Sequence, residues 1–274
     1  MQRIRYNSPV FGAICTLVLA ASLAATTANA TPNITGAIIK TRIFNDCPIS
    51  TVTTNNSYPS LIAIDDENFT GCFGFANLHV WHLVDASAPR PDSIFENASC
   101  FQIAADMVLD GIGNGEGGLQ MGPWFSLDTD GLFNCRTTDG EIACFGGRMP
   151  FFSFTAAFGL HYVKGTPIHL EMIVTPHDVS SVNPATMEYR LVYLGTPYTS
   201  GPLAFDQGNA AEDPPHGLWG VLNNASLGGA YKAFLNGGNP AGLAATWSNI
   251  FYQGCDKPTP ARTATWGQLK SIYR

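Results

Sequence analysis

The chain has 274 residues, 45% of them hydrophobic and only 13% charged, with 14 basic side chains against 21 acidic ones and a formal charge of −7. Length and apolar content are ample for a buried core. The acidic balance, with cations scattered rather than clustered, excludes the basic patches that nucleic acid or an anionic membrane requires.

The N-terminus reads as an export leader. Arg3 and Arg5 precede an apolar run from Val10 to about Ala25, and Ala28-Asn29-Ala30 forms an A-x-A cleavage site, so residues 1–30 are expected to be removed. The run is short for a spanning helix, and no later segment offers a transmembrane candidate. The expected location is therefore outside the cytoplasm: secreted, cell-surface or periplasmic. Of seven cysteines, Cys15 lies in the leader, which leaves an even number for disulfides in an oxidising compartment.

Strand signals then recur along the chain. "AIIKTRIF", "SLIAI", "CFQIAADMVL", "GLQMGPWFS", "LFNCRT", "EIACF" and "FFSFTAAF" are short, β-branched or aromatic, and bounded by Gly, Asp, Asn or Pro. "HYVK", "IHLEMIV", "MEYRLVYL" and "HGLWGVL" continue the series. In "IHLEMIV", Ile168, Leu170, Met172 and Val174 share one face; in "MEYRLVYL", Met187, Tyr189, Leu191 and Tyr193 do. If the two strands pair, Glu171 and Arg190 meet on the solvent side. In "NCRTTDGEIACF", Asp139-Gly140 has the composition of a two-residue hairpin turn, and that register sets Cys135 opposite Cys144 as a disulfide pair. Cys47, Cys72, Cys100 and Cys255 then allow three connectivities. Regular short strands without intervening helices predict an all-β fold, one antiparallel β-sandwich or jelly roll over residues 31–238.

Residues 239–274 differ, with Gly, Pro and Ala leading to Cys255 and a Pro-Thr linker. In "TWGQLKSIYR", Thr265 and Gln268 have capping-box spacing, and Trp266, Leu269 and Tyr273 form a stripe. The expectation is a C-terminal extension with a short helix, either packed on the sandwich or used for sorting or attachment.

From Gly165 onward, "GTPIHLEMIV", "MEYRLVYLGTPYTSGPLAF" and "GLWGVLNNASLGG" follow one another in an order that resembles the laminin-G-like branch of the concanavalin A-like lectin and glucanase sandwich superfamily. The resemblance implies the fold, and a non-catalytic module that binds polysaccharide or serves in cell-surface structure or adhesion. Its partners would be a polysaccharide or a cell-surface protein. The alternative it carries is a carbohydrate-active enzyme, a glycoside hydrolase or polysaccharide lyase, of the same fold.

Candidate chemistry is sparse. A glycosidase needs two carboxylates flanking the bond. No Glu-x-Asp-x-x-Glu run occurs, and Glu171 stands alone on its strand, with Glu116 an arbitrary partner. His79 and His82 in "HVWH" align on a helix and not on a strand, with no carboxylate between them. "GNGEGG" (113–118) matches a dinucleotide pattern, but no helix follows it. The loop "DQGNAAEDPPHGLWG" (206–220) places Asp206, Asn209, Glu212 and Asp213 as hard oxygen donors of the kind calcium takes, and Asx turns explain the same residues equally well. Calcium is thus the one cofactor the residues suggest. His216 and Trp219 in that loop, with Trp124 and Glu171, are the candidate ligand-binding residues, the tryptophans as stacking surfaces for a sugar.

Overall fold

The computed structural model describes residues 32–126, 129–146, 149–205, 219–235 and 240–254. The expected leader and C-terminal helix lie outside these residues, as do Asp206, Asn209, Glu212, Asp213 and His216. Fourteen strands are described: β1 (Gly36–Asn45), β2 (Thr51–Ser57), β3 (Leu61–Glu67), β4 (Ala76–Val84), β5 (Phe101–Asp110), β6 (Asn114–Ser126), β7 (Thr129–Arg136), β8 (Ile142–Phe145), β9 (Phe152–Ser153), β10 (Ile168–Thr175), β11 (Thr186–Tyr193), β12 (Thr196–Ala204), β13 (Ser226–Phe234) and β14 (Gly242–Gly254). A five-residue helix, α1 (Phe154–Phe158), follows β9.

The strands form two seven-stranded antiparallel sheets packed as a sandwich. The first has the order β1-β4-β13-β6-β7-β8-β9, the second β12-β11-β10-β5-β14-β3-β2. The expected all-β sandwich is what the chain forms, and its expected face pattern holds. Ile168, Leu170, Met172 and Val174 are all buried, as are Met187, Tyr189, Leu191 and Tyr193, and Glu171 lies opposite Arg190 in the β10–β11 ladder. Each fully buried apolar side chain of this kind contributes about 1.5–3 kcal/mol relative to exposure.

Several sequence expectations change. The sandwich does not end at residue 238: β14 lies between β3 and β5 in the second sheet. Leu243, Ala245 and Trp247 fill the core from it, so "GLAATW" is a strand because of its neighbours and not its modest β propensity. The hairpin after β7 has a four-residue loop, because the Arg136 N–H donates to the Glu141 carbonyl at 2.9 Å. Arg136 also holds the Asp139 carboxylate at 2.5 Å, so Asp139 is taken up by this pairing. Cys135 consequently faces Ile142, and Cys144 faces Phe133. The two cysteines are diagonal neighbours and are buried free thiols, not a disulfide. Burial pushes both thiols up, Cys144 further through the nearby Cys135, which leaves them unreactive. The bond formed instead is Cys47–Cys72, with Cα atoms 5.1 Å apart, and Cys100 is disulfide-bonded as well.

"FFSFTAAF" is only briefly a strand. The Ser153 side chain accepts from the Ala156 N–H as an N-cap, and Gly159, at φ 68°, ends α1 in the left-handed conformation. "HYVK" is not a strand, and neither are residues 219–222 of "HGLWGVL". β13 begins after them and inserts between β4 and β6.

Candidate functional site on the outer face of the first sheet

β4 and β13 are buried on both faces, which sets them apart from the strands of the second sheet. In β4, Asn77, His79, Trp81 and Leu83 fall in the inward phase, and Leu78, Val80 and His82 in the outward one. "HVWH" is thus a strand whose two histidines lie on opposite sides of the sheet, not a helical pair.

The inward histidine belongs to a closed structural network. Asp66 continues the buried stripe of Ile62 and Ile64 on β3 and lies 3.0 Å from His79 Nε2. The Arg42 N–H donates to His79 Nδ1 at 3.2 Å, so Nε2 carries the proton given to Asp66. Asn77 Nδ2 donates to the same carboxylate at 2.7 Å.

On the outer face, β13 separates β4 from β6, and its register sets Gly228 between His82 and Gln120. Those two residues are two strand spacings apart, about 10 Å between backbones. With no side chain at Gly228, they lean over it and meet, Nε2 to Nε2, at 2.6 Å. No other residue fits there: a Cβ on Gly228 would lie 1.9 Å from the Trp81 carbonyl oxygen. His82 Nδ1 lies 3.1 Å from Asp92 Oδ2, and Lys40 Nζ lies 2.6 Å from the same oxygen. The hydrogen bond from His82, then that from Lys40, holds the Asp92 carboxyl far below the usual carboxylate range against the opposing effect of burial. A carboxylate only accepts, so His82 carries its proton on Nδ1, and Nε2 accepts from the Gln120 amide.

One step along the sheet, Lys232 pairs with Glu116 in register, and Nζ reaches Oε1 at 2.8 Å. Asn134 of β7 lies opposite Gly118, whose missing side chain opens the way for Asn134 Nδ2 to donate to Glu116 Oε2 at 3.0 Å. The "GNGEGG" stretch therefore lies at the start of β6, where its glycines permit close approach of neighbouring strands and no phosphate loop exists. Two acceptors remain: Gln120 Oε1 and Asn134 Oδ1 are buried without any hydrogen-bond partner. Gln120 and Asn134 are 0% and 1% exposed, while Lys40, Lys232 and Arg136 are part-exposed around them. Phe75, at 62% exposure, packs on Phe234 at the β13 end with ring centroids 5.5 Å apart.

The expected site residues are elsewhere. Glu171 points out from the second sheet, hydrogen-bonded by Gln102 Nε2, with Arg190 Nη1 3.9 Å away. Arg190 binds Glu188 more closely, at 2.7 Å. Glu116 and Glu171 thus lie on opposite outer faces of the sandwich and cannot flank one glycosidic bond. Trp219 is half-buried, and its carbonyl accepts from the Ala185 N–H at 2.7 Å. Trp124 lies in β6, and its side chain is outside the described structure. Among the described residues no cluster of His, Cys, Asp and Glu could hold a metal ion. Gln120 and Asn134 escaped the sequence reading, which weighed His82 only beside His79 and Glu116 only as an arbitrary partner for Glu171. The one local signal for them was a polar residue in alternate positions of glycine-rich strands.

The carboxylates predict acid sensitivity. Burial raises Asp66, but hydrogen bonds from His79, Ser50 and Asn77 more than offset it, and its pKa is lowered. Asp92 is lowered too, and Asp139 falls to about 2 beside Arg136. A depressed folded pKa adds stability above the unfolded value, near about 4, which is lost as pH falls through the folded value. Melting temperature should be level from neutrality to about pH 5 and decline below about pH 4. A level melting temperature down to about pH 2 would contradict these assignments.

No family description matches the chain, and no curated protein does. Among solved structures, a sialidase aligns at 10% identity and TM-score 0.43, over 81% of this chain and 17% of its own. A family 7 alginate lyase aligns at 10% identity and TM-score 0.41, over 74% of this chain and 83% of its own. A Lotus tetragonolobus seed lectin aligns at 10% identity and TM-score 0.37, over 83% and 97%. The chain spans under a fifth of the sialidase's length. These likenesses concern the arrangement of strands and carry no argument about activity.

Proposed function

We propose that the protein is an exported polysaccharide-binding module whose ligand lies along the outer face of the first sheet. The observation that carries this reading is the pair of buried amide oxygens, Gln120 Oε1 and Asn134 Oδ1, left without donors while both amide nitrogens are held. An unsatisfied buried acceptor costs about 1–3 kcal/mol; both oxygens are closed to solvent in this structure, so a ligand hydroxyl recovers that cost where the covering side chains move aside. The exposed Phe75 ring supplies an apolar surface of the kind a sugar ring packs on. The Cys47–Cys72 disulfide supports an oxidising location. No helix among the described residues is long and apolar enough to cross a membrane.

A second reading, a carbohydrate-active enzyme of the same fold, is favoured by one arrangement. Asp92 on Nδ1 orients His82 and makes Nε2 an acceptor, the tautomer a general base needs, and the Gln120 amide occupies that acceptor in this structure. A glycan array run beside a polysaccharide turnover screen separates the two. Binding without turnover, weakened about tenfold by Gln120→Met in a variant that still unfolds cooperatively, is the expected result. Turnover lost in His82→Ala would establish the enzyme, and array binding indifferent to Gln120→Met would remove this face as the site.

A further inference from the structure

We infer that the ligand class of this face is a neutral, hydroxyl-rich glycan and not a polyanionic one. The inference rests on the proposed binding face and narrows what that face takes. Each described cation on the face already has a carboxylate partner on it. Lys40 is paired with Asp92 at 2.6 Å, Lys232 with Glu116 at 2.8 Å, and Arg136 with Asp139 at 2.5 Å and Glu141 at 2.8 Å. An incoming uronate or sulfate would meet neutralised cations and the carboxylates that neutralise them.

The uncharged groups point the same way. Asn134 cannot turn its amide without setting Oδ1 against the Glu116 carboxylate, so its nitrogen stays on Glu116 and its oxygen stays unpartnered. Gln120 is held likewise, because the His82 Nδ1 proton faces Asp92 and Nε2 must accept from the Gln120 nitrogen. Both amides therefore keep an unpartnered acceptor, closed to solvent in this structure. Gly118, between them in the ladder, leaves the two on adjacent strands as diagonal neighbours, about 7–8 Å apart at the backbone. Acceptors want donors, which glycan hydroxyls supply and ionised carboxylates or sulfates do not. The chain's formal charge of −7 adds long-range repulsion of a polyanion.

The test uses the full chain and two panels of polymer: β-glucan, xylan and galactomannan as neutral probes, polygalacturonate and dextran sulfate as anionic ones. Binding to at least one neutral probe, none to the anionic pair, and about tenfold weaker neutral binding in Gln120→Met is the expected outcome. Glu116→Gln keeps an acceptor beside Asn134 but leaves Lys232 unneutralised, so it should gain polygalacturonate binding. Wild-type binding to the anionic probes alone, still weakened by Gln120→Met, overturns the neutral-ligand inference and keeps the site. Binding to neither panel, or binding that Gln120→Met leaves unchanged, overturns the reading on which the inference rests.

Discussion

Replacement of Trp247 by alanine is expected to lower the free energy of unfolding by about 3–5 kcal/mol, the cost of deleting a large buried aromatic side chain. Trp247 is fully buried, meets Trp81 edge-on with ring centroids 6.0 Å apart, and donates from Nε1 to the Gly118 carbonyl at 3.3 Å. It therefore ties β14 of the second sheet to the β4 and β6 strands of the first, across the whole core. Denaturant unfolding measures the change, and a loss below about 1 kcal/mol would mean that β14 is not part of the core. The same reasoning applies to shortening the chain to residue 238. Without β14, the ladders it forms with β3 and β5 vanish, and both strands expose unpaired edges in the middle of the sheet. The shortened chain should not give a cooperative transition.

Replacing Cys47 and Cys72 together by alanine is expected to cost about 3–4 kcal/mol, from the loop entropy that the bond removes from the unfolded chain. The bond closes a sequence separation of 25 residues and holds the β1–β2 turn against the loop before β4. The polar contacts around it are local: the Cys47 N–H donates to Asn77 Oδ1 at 2.9 Å, and Arg42 Nη1 donates to the Cys47 carbonyl at 2.9 Å. Those contacts remain in the variant, so the loss should appear as a lower unfolding midpoint with an unchanged folded spectrum. A matching experiment on Cys135→Ser should leave the mass map of disulfides unaltered, since that thiol is free.

How much was legible follows from which strands alternate. β10 and β11 bury one face and solvate the other, so a period of two is written in their residues and their pairing partners could be read directly. β4 and β13 are buried on both faces and carry glycine, alanine and polar side chains, so no alternation marks them. β14 fell within the expected C-terminal extension because alanine and glycine dominate its first half, although Leu243, Ala245 and Trp247 are all buried. The hairpin register failed by two residues because the Asp139 side chain serves Arg136, which a turn-composition argument does not contain.

The candidate site was illegible for the same reason on a longer scale. His82 and Gln120 are 38 positions apart, and Lys232 and Glu116 are 116 apart. Neither pair exists until β13 is placed between β4 and β6.

The sequence by itself determined the class of fold, through short alternating strands with turn residues between them, and an acidic balance without clustered cations. Those are local or compositional properties, and they survive any rearrangement of strand order. Strand order, the Cys47–Cys72 choice and the meeting of His82 with Gln120 over Gly228 were decided only by the tertiary structure. Each depends on which distant backbones hydrogen-bond side by side, and that is settled by packing two whole faces against each other rather than by any stretch of residues alone.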